Sequence, residues 1–326
     1  MAVTIRDVAR HAGVSRATVS RVLTGKPYVS EDVRSRVLAA VDALGYTPSR
    51  VARSLRVQRA AIIGLIISDI QNPFYTGLVR AVEDVANEHQ CALFLCNSDE
   101  DIEKETLYLD IMQSERVAGV VITPTRETGN PSHRLLEVGI PVVSVDRRML
   151  DLEVDTVMID NMGAAFEVVS RLIRAGHRRI ASVVGQQTIS TSRERHEGYL
   201  RALEAHGVPC LPELVRIGMP KEAFGYRSTQ ELLDLPEPPT ALFMANNLLT
   251  LGALKAIHER GRRVPDDIAI AAFDQTYWTA YQPALTVVAQ PTYELGWTAA
   301  NLLLERINDR TRPVQEVILP TTILDR

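Results

Sequence analysis

The chain has 326 residues, more than one core ordinarily fills, and its 46% hydrophobic and 23% charged residues describe a globular protein of two or three domains. No apolar run reaches the roughly 18 residues that a membrane-spanning helix needs, which excludes an integral helical membrane protein. The net charge of −4 hides a split: residues 1–59 hold eleven Lys/Arg against four Asp/Glu, a net +7, so the remainder carries −11. A basic head on an acidic body points to a polyanion-binding module joined to something else.

Arg6, Asp7 and Arg10 stand where a signal peptide would need its apolar stretch, so the chain is expected to stay in the cytoplasm. Cys91, Cys96 and Cys210 show no metal-ligand or redox spacing and read as reduced thiols, with no disulfide, metal or cofactor expected.

Thr4 can cap a first helix in which Ile5, Val8, Ala9 and Ala12 keep helical spacing up to Gly13, which can take the positive φ of a tight turn. Ser15 then caps a second helix whose Val19, Val22 and Leu23 point back at the first, which is the helix-turn-helix pattern. The outer face of this second helix carries Arg16, Ala17, Ser20 and Arg21, without a carboxylate. Such a face fits a DNA major groove, where arginine can grip a guanine edge and short side chains allow close approach. A third helix starts at the Ser30 cap, with Val33, Val37, Leu38, Val41 and Leu44 expected on its inner face and Gly45 at its end. Thr47 and Pro48 next resemble a helix start, with Arg50, Arg53 and Ser54 on one face and Val51 and Leu55 on another. Two turns are too short to be stable alone in water. This segment is expected to order only when DNA and a second subunit hold it, with Leu55 a wedge between base steps in the minor groove.

From Ala60 onward apolar runs alternate with amphipathic helices: AIIGLIIS, CALFLC, GVVIT and PVVSV in a first series, RIASVVG, ELVRIG, ALFMAN and IAIAAF in a second, with a break after TVMIDN. Strand–helix alternation with near-continuously apolar strands predicts parallel sheets covered on both faces, in two lobes. The loops beyond strand ends supply the pocket candidates: Phe74, Tyr75, Thr125, Asp146, Arg147, Thr191, Arg195, Asn246, Asn247, Asp274 and Gln275. Carboxylates, an arginine fork, amides and aromatic rings suit a polyhydroxylated ligand. Phe74 reads equally well as core, Asp146 and Arg147 as a cross-lobe ion pair, and Trp278 as packing.

Residues 1–59, with VTIRDVARHAGVSRATVSRVL and YTPSRVARSL, resemble the DNA-binding head of the lactose/galactose repressor (LacI/GalR) family, and the body, with AGHRRIA and QPALTVVAQP, resembles its periplasmic-binding-protein-type sugar-binding core. The resemblance implies an all-α helix-turn-helix head plus an α/β two-lobed core of doubly wound parallel sheets. It divides the chain into 1–46 (helix-turn-helix domain), 47–59 (hinge helix and linker), 60–161 plus 291–320 (first lobe) and 162–290 plus 321–326 (second lobe). It implies a homodimer on a pseudo-palindromic double-stranded operator, with Thr4, Ser15, Arg16, Ala17, Thr18, Ser20, Arg21, Ser30, Arg50, Arg53, Leu55 and Arg56 at the DNA, and a sugar or sugar derivative as effector. Ile189 and Pro220 stand where purine-binding members carry arginine and phenylalanine, which argues against a nucleobase, and Asn247 stands where the family usually has aspartate.

The expected function is therefore a sequence-specific transcriptional regulator, a repressor, under allosteric control by a small sugar-like effector. A regulator answering to a protein partner is the alternative. An enzyme is not expected, because no P-loop, G-x-S-x-G, H-E-x-x-H or G-x-G-x-x-G occurs and the seven histidines are scattered. A transport binding protein conflicts with the basic head. The C-terminus shows no leucine heptad, so a dimer is expected rather than a tail-tethered tetramer.

Overall fold

The computed structural model describes residues 3–23, 29–45, 62–274 and 285–325, in two compact units, Met1–Ala60 and Ala61–Arg326. In the first unit Asp7 accepts hydrogen bonds from the Thr4 N–H (3.0 Å) and hydroxyl (2.6 Å), which fixes the start of α1 (Ile5–Ala12). Gly13 ends α1 at φ 64, a conformation a Cβ would oppose. Ser15 Oγ then accepts the Thr18 N–H at 3.1 Å and opens α2 (Arg16–Leu23). Val8, Ala9 and Ala12 of α1 close on Val19 and Val22 of α2 and on Val37 and Ala40 of α3 (Glu31–Leu44). Ala40, not Leu38, takes the inner position: the 3.6-residue period that buries Val37 turns Leu38 outward, 46% exposed. Arg36 of α3 donates to the Ala12 carbonyl at 2.8 Å, satisfying a C-terminal acceptor of α1.

The second unit contains two six-stranded sheets. The first runs, in spatial order, β11 (Glu316–Leu319), β5 (Asp155–Ile159), β4 (Val142–Val145), β3 (Gly119–Ile122), β1 (Ile62–Ile67) and β2 (Ala92–Asn97), all parallel. The second runs β12 (Thr322–Asp325), β10 (Leu285–Ala289), β9 (Ala269–Phe273), β8 (Ala241–Met244), β6 (Ile180–Gly185) and β7 (Val215–Gly218), with only β12 antiparallel. Around the first sheet lie α4 (Phe74–Glu88), α5 (Ile102–Ser114) and α6 (His133–Glu137); around the second, α7 (Asn161–Arg174), α8 (Ser190–Ala205), α9 (Glu222–Leu233) and α10 (Asn247–Glu259). The central strands are buried on both faces, as parallel crossover topology requires.

The chain passes between the sheets after β5, after β10 and after β11. The returning helix α11 (Thr292–Asn308) packs along α4 and over β3, β4 and β5. Its Arg306 clamps the buried Asp155 of β5 with two 2.9 Å hydrogen bonds, from Nε to Oδ2 and from a terminal nitrogen to Oδ1. That fork fixes the third segment of the chain to the first sheet.

Candidate functional site

In the head, Arg16, Ala17 and Arg21 of α2 are exposed on one face, with Thr18 and Ser20 half-buried beside them. Arg16 forms no ion pair among the described residues, so its guanidinium is open to an outside partner. Thr4 and Ser15 are exposed, but their hydroxyls already serve the helix starts, Thr4 donating to Asp7 and Ser15 accepting the Thr18 N–H. Ser30 is exposed and makes no side-chain cap. Arg50, Arg53, Leu55 and Arg56 lie outside the described residues, as do Gln275 and Trp278.

In the core, the carboxyl ends of both sheets face a cleft of about 640 Å³, open solvent at its mouth included. Of the sequence candidates, Phe74, Tyr75, Asp146, Arg147, Thr191, Arg195, Asn246 and Asp274 line it. Ile189 and Pro220 line it as well, so the two departures from the purine-binding pattern fall on its wall. Phe74 is both core and wall, 6% exposed, with its ring edge-on to Tyr75 at 5.0 Å.

Thr125 is not among these wall residues. Its N–H (2.7 Å) and hydroxyl (2.6 Å) both donate to Glu105, a fully buried carboxylate of α5 that also accepts from Asn130 at 2.7 Å. The loop after β3 is thus held back against α5. Asn247 reaches across the lobes instead, donating its amide to Asn72 Oδ1 at 2.8 Å, and Lys221 meets Asp69 at 2.6 Å in the same cross-lobe sense.

Asp146, Asp274, Arg195, Arg147 and Glu100 set the electrostatics. Asp146 and Asp274 follow β4 and β9, each with positive φ (70° and 74°) and each with its N–H bonded to the next strand, at Val157 and Val288. Burial pushes the Asp146 carboxyl up to about 6, against the opposing pull of Arg147 and Arg195. Burial likewise raises Asp274, which Arg195, Gln290 and the Asn247 N–H partly counter. Arg195 lies in the field of both acids, donating from Nε to Asn161 at 2.8 Å and from a terminal nitrogen to the Ala245 carbonyl at 2.6 Å, with its guanidinium 4.0 Å over the Phe273 ring. Burial lowers its pKa while Asp274 and Asp146 oppose that shift. Arg147 is gripped by Glu100 through two hydrogen bonds of 2.6 and 2.7 Å. Burial alone would raise Glu100, but the Arg147 guanidinium outweighs it and holds the carboxyl below its ordinary value.

A Cβ at Gly185 would run into Ser192 Oγ, so glycine lets the end of β6 and the start of α8 approach closely. Sequence reasoning passed over Ser68, Asp69, Glu100, Ser192, Lys221 and Gln290, all on the wall. The strand-end rule reaches Glu100 and Lys221 when it is extended to the loops after β2 and β7. Among the described residues no group of three His, Cys, Asp or Glu is placed to hold a metal, and no helix is long and apolar enough to cross a membrane.

A three-helix DNA-reading head joined to a two-lobed core with a buried polar cleft defines a ligand-responsive DNA-binding protein. Residues 4–49 match the bacterial regulatory proteins of the lacI family, and residues 169–326 match a periplasmic binding protein-like domain. Catabolite control protein A of Priestia megaterium is 37% identical over 326 residues, covering 99% of this chain and 98% of the relative. The HTH-type transcriptional regulator RegA of Clostridium saccharobutylicum is 34% identical over 328 residues, covering 100% and 99%. Among solved structures, the transcriptional regulator CelR–cellobiose complex aligns at TM-score 0.74 and 33% identity, covering 99% of both chains. The lac repressor dimer bound to operator and the anti-inducer ONPF aligns at TM-score 0.88 and 26% identity, covering 100% of this chain and 98% of that one. The chain belongs to the LacI family and is a DNA-binding transcriptional regulator, not an enzyme.

Proposed function

We propose that the chain is a cytoplasmic repressor that binds a pseudo-palindromic operator as a homodimer and is controlled by a small sugar-like effector in the interlobe cleft. The carrying observation is the convergence of Asp146 and Arg147 from one lobe with Thr191, Arg195, Asn246 and Asp274 from the other on one cleft wall, a donor and acceptor set suited to hydroxyl groups. The cellobiose complex of CelR, a full-length relative, supports the same chemistry. In this reading Arg16, Ala17, Ser20 and Arg21 meet the major groove, and the basic segment around Leu55 meets the minor groove. Residues 60–161 with 291–320, and 162–290 with 321–326, act as the two lobes whose relative angle the effector sets. Because the effector binds the two lobe arrangements with different affinity, linkage requires DNA to alter effector affinity by the same factor.

The test is a thermal-shift screen of the full chain against uncharged mono- and disaccharides, followed by operator titration by fluorescence anisotropy with and without any ligand found, which reads the sign of the coupling. Asp274→Asn removes a charged acceptor from that ligand and should weaken it by about tenfold or more, at about 1.4 kcal/mol per tenfold. Unchanged affinity by calorimetry would take Asp274 out of the site.

A further inference from the structure

The charged groups of the cleft are unequal in what they have left to offer. Among the described residues its cations are Arg147, Arg195 and Lys221, against the carboxylates of Asp69, Glu100, Asp146 and Asp274, one more anion than cation.

Each of these cations already has a protein partner, although Arg147 Nε is left without a hydrogen bond. Both terminal nitrogens of Arg147 lie on the two Glu100 oxygens, and they also donate to the Pro124 carbonyl at 3.2 Å and Ser68 Oγ at 3.4 Å. Arg195 is held by Asn161, Ala245 and the Phe273 ring, and Lys221 by Asp69. Beside that one donor, open capacity is found on acceptors. Among the described residues the Asp146 carboxylate has only Arg147 Nε, 3.7 Å away, and the buried Gln290 Oε1 has no hydrogen-bond partner. A hydroxyl donates to such groups. A phosphate or carboxylate brings only acceptors and a charge of the same sign.

Resting on the reading of this cleft as the effector site, we infer that the effector is an uncharged polyhydroxyl compound bearing neither phosphate nor carboxylate, and that Glu100 sets this selectivity by occupying Arg147. The loop after β2 is shaped to deliver Glu100. Asp99 and Glu100 both adopt the left-handed region, φ 53° and 59°, which costs a side-chain-bearing residue energy unless its surroundings hold it there. Asp99 is held by the Asn97 amide at 2.7 Å and the Lys104 ammonium at 2.5 Å, and Glu100 by Arg147. Without Glu100 the planar fork of Arg147 would face the cleft as a ready site for phosphate.

The experiment is calorimetry and thermal shift on the full chain with matched probes: D-glucose against D-glucose 6-phosphate and D-gluconate, D-ribose against D-ribose 5-phosphate, cellobiose against cellobionate, and inorganic phosphate alone. Wild type should bind no anionic member more tightly than its uncharged parent and should show no stabilisation by inorganic phosphate. Glu100→Gln should gain affinity for inorganic phosphate by at least tenfold, with a melting shift that shrinks as salt rises, and adding Arg147→Gln should remove the gain. A phosphorylated or carboxylated sugar that binds wild type tighter than its parent overturns the inference, and so does a folded Glu100→Gln chain indifferent to phosphate. If Glu100→Gln does not fold, the wild-type pairs decide alone. Should no sugar bind wild type at all, the sugar-effector reading falls, while the phosphate response of Glu100→Gln still judges the role of Glu100.

Discussion

Replacing Asp146 by asparagine separates what the cleft costs in folding from what it gains in binding. Asp146 is 7% exposed, and burial lifts its carboxyl from the ordinary 3.8 to about 6. Below pH 3.8 the group is protonated in both states and has no effect on stability. As pH rises from about 4 to about 6 the unfolded chain releases this proton while the folded chain retains it, so the folded state loses stability through that window, and the loss is complete above it. The gap of about two pH units, at about 1.4 kcal/mol each, makes the cost about 3 kcal/mol at neutral pH. Asparagine has nearly the same shape and cannot ionise, so Asp146→Asn should stabilise the core by up to about 3 kcal/mol at pH 7.5, a rise of roughly 6–10 °C in melting temperature for a unit of this size. At pH 4 the two proteins should melt together. Calorimetric melts of both full chains from pH 4 to 8 measure the difference, and an effector titration at pH 7.5 should show the variant weaker. A variant less stable than wild type at pH 7.5 would refute the reasoning, because it would mean that the Asp146 charge is needed to hold Arg147 and Arg195 in place. A stabilisation independent of pH would refute it equally.

Operator affinity should fall steeply with salt, with a log–log slope on the order of −5 to −10 for a dimer, because the basic head supplies the phosphate contacts; an anisotropy series over salt concentration showing a flat response would contradict that role. Leu55→Ala should weaken specific operator binding far more than nonspecific binding, since a wedge offsets the energy of kinking the site and is idle on unbent DNA. Equal losses in competition assays on both kinds of DNA would make Leu55 a packing residue.

The parts of the fold that were legible in the sequence are those with local causes. Thr4, Gly13 and Ser15 act within three or four residues of themselves, so the cap, the turn and the second cap could be read directly. The alternation of apolar strands with amphipathic helices announced two parallel sheets because crossover topology demands it. Leu38 was misplaced because its neighbour Val37 satisfies the same apolar pattern, and only packing against α1 and α2 chooses between Val37–Ala40 and Val37–Leu38. In the cleft, residues directly beyond apolar strands were found, whereas those defined by distant partners were not. Glu100 lies within NSDED and reads as a solvated charge until Arg147, 47 residues later, is folded against it. Lys221 depends on Asp69, 152 residues away. Thr125 sits beyond a strand as the rule asks, but Glu105 on α5 captures it, a contact with no local signature.

The duplication of the core is likewise absent from the sequence and plain in the topology. The order β2-β1-β3-β4-β5 in one sheet is repeated as β7-β6-β8-β9-β10 in the other. Asp146 and Asp274 occupy equivalent corners, each after the fourth strand of its sheet, each in the left-handed conformation and each bonded through its N–H to the strand alongside. One buried aspartate therefore belongs to each lobe, and Arg195 of the second lobe interacts electrostatically with both. The Asp146–Arg195 attraction acts across the cleft and weakens as the lobes separate and water enters, whereas the Asp274–Arg195 attraction lies within one lobe and is independent of their angle. A ligand that satisfies Asp146 and the Arg195–Asp274 pair together can do so only while both lie within reach of one small molecule. It then binds one lobe arrangement better than the other, and that difference is the free energy available for changing the affinity of the head for DNA.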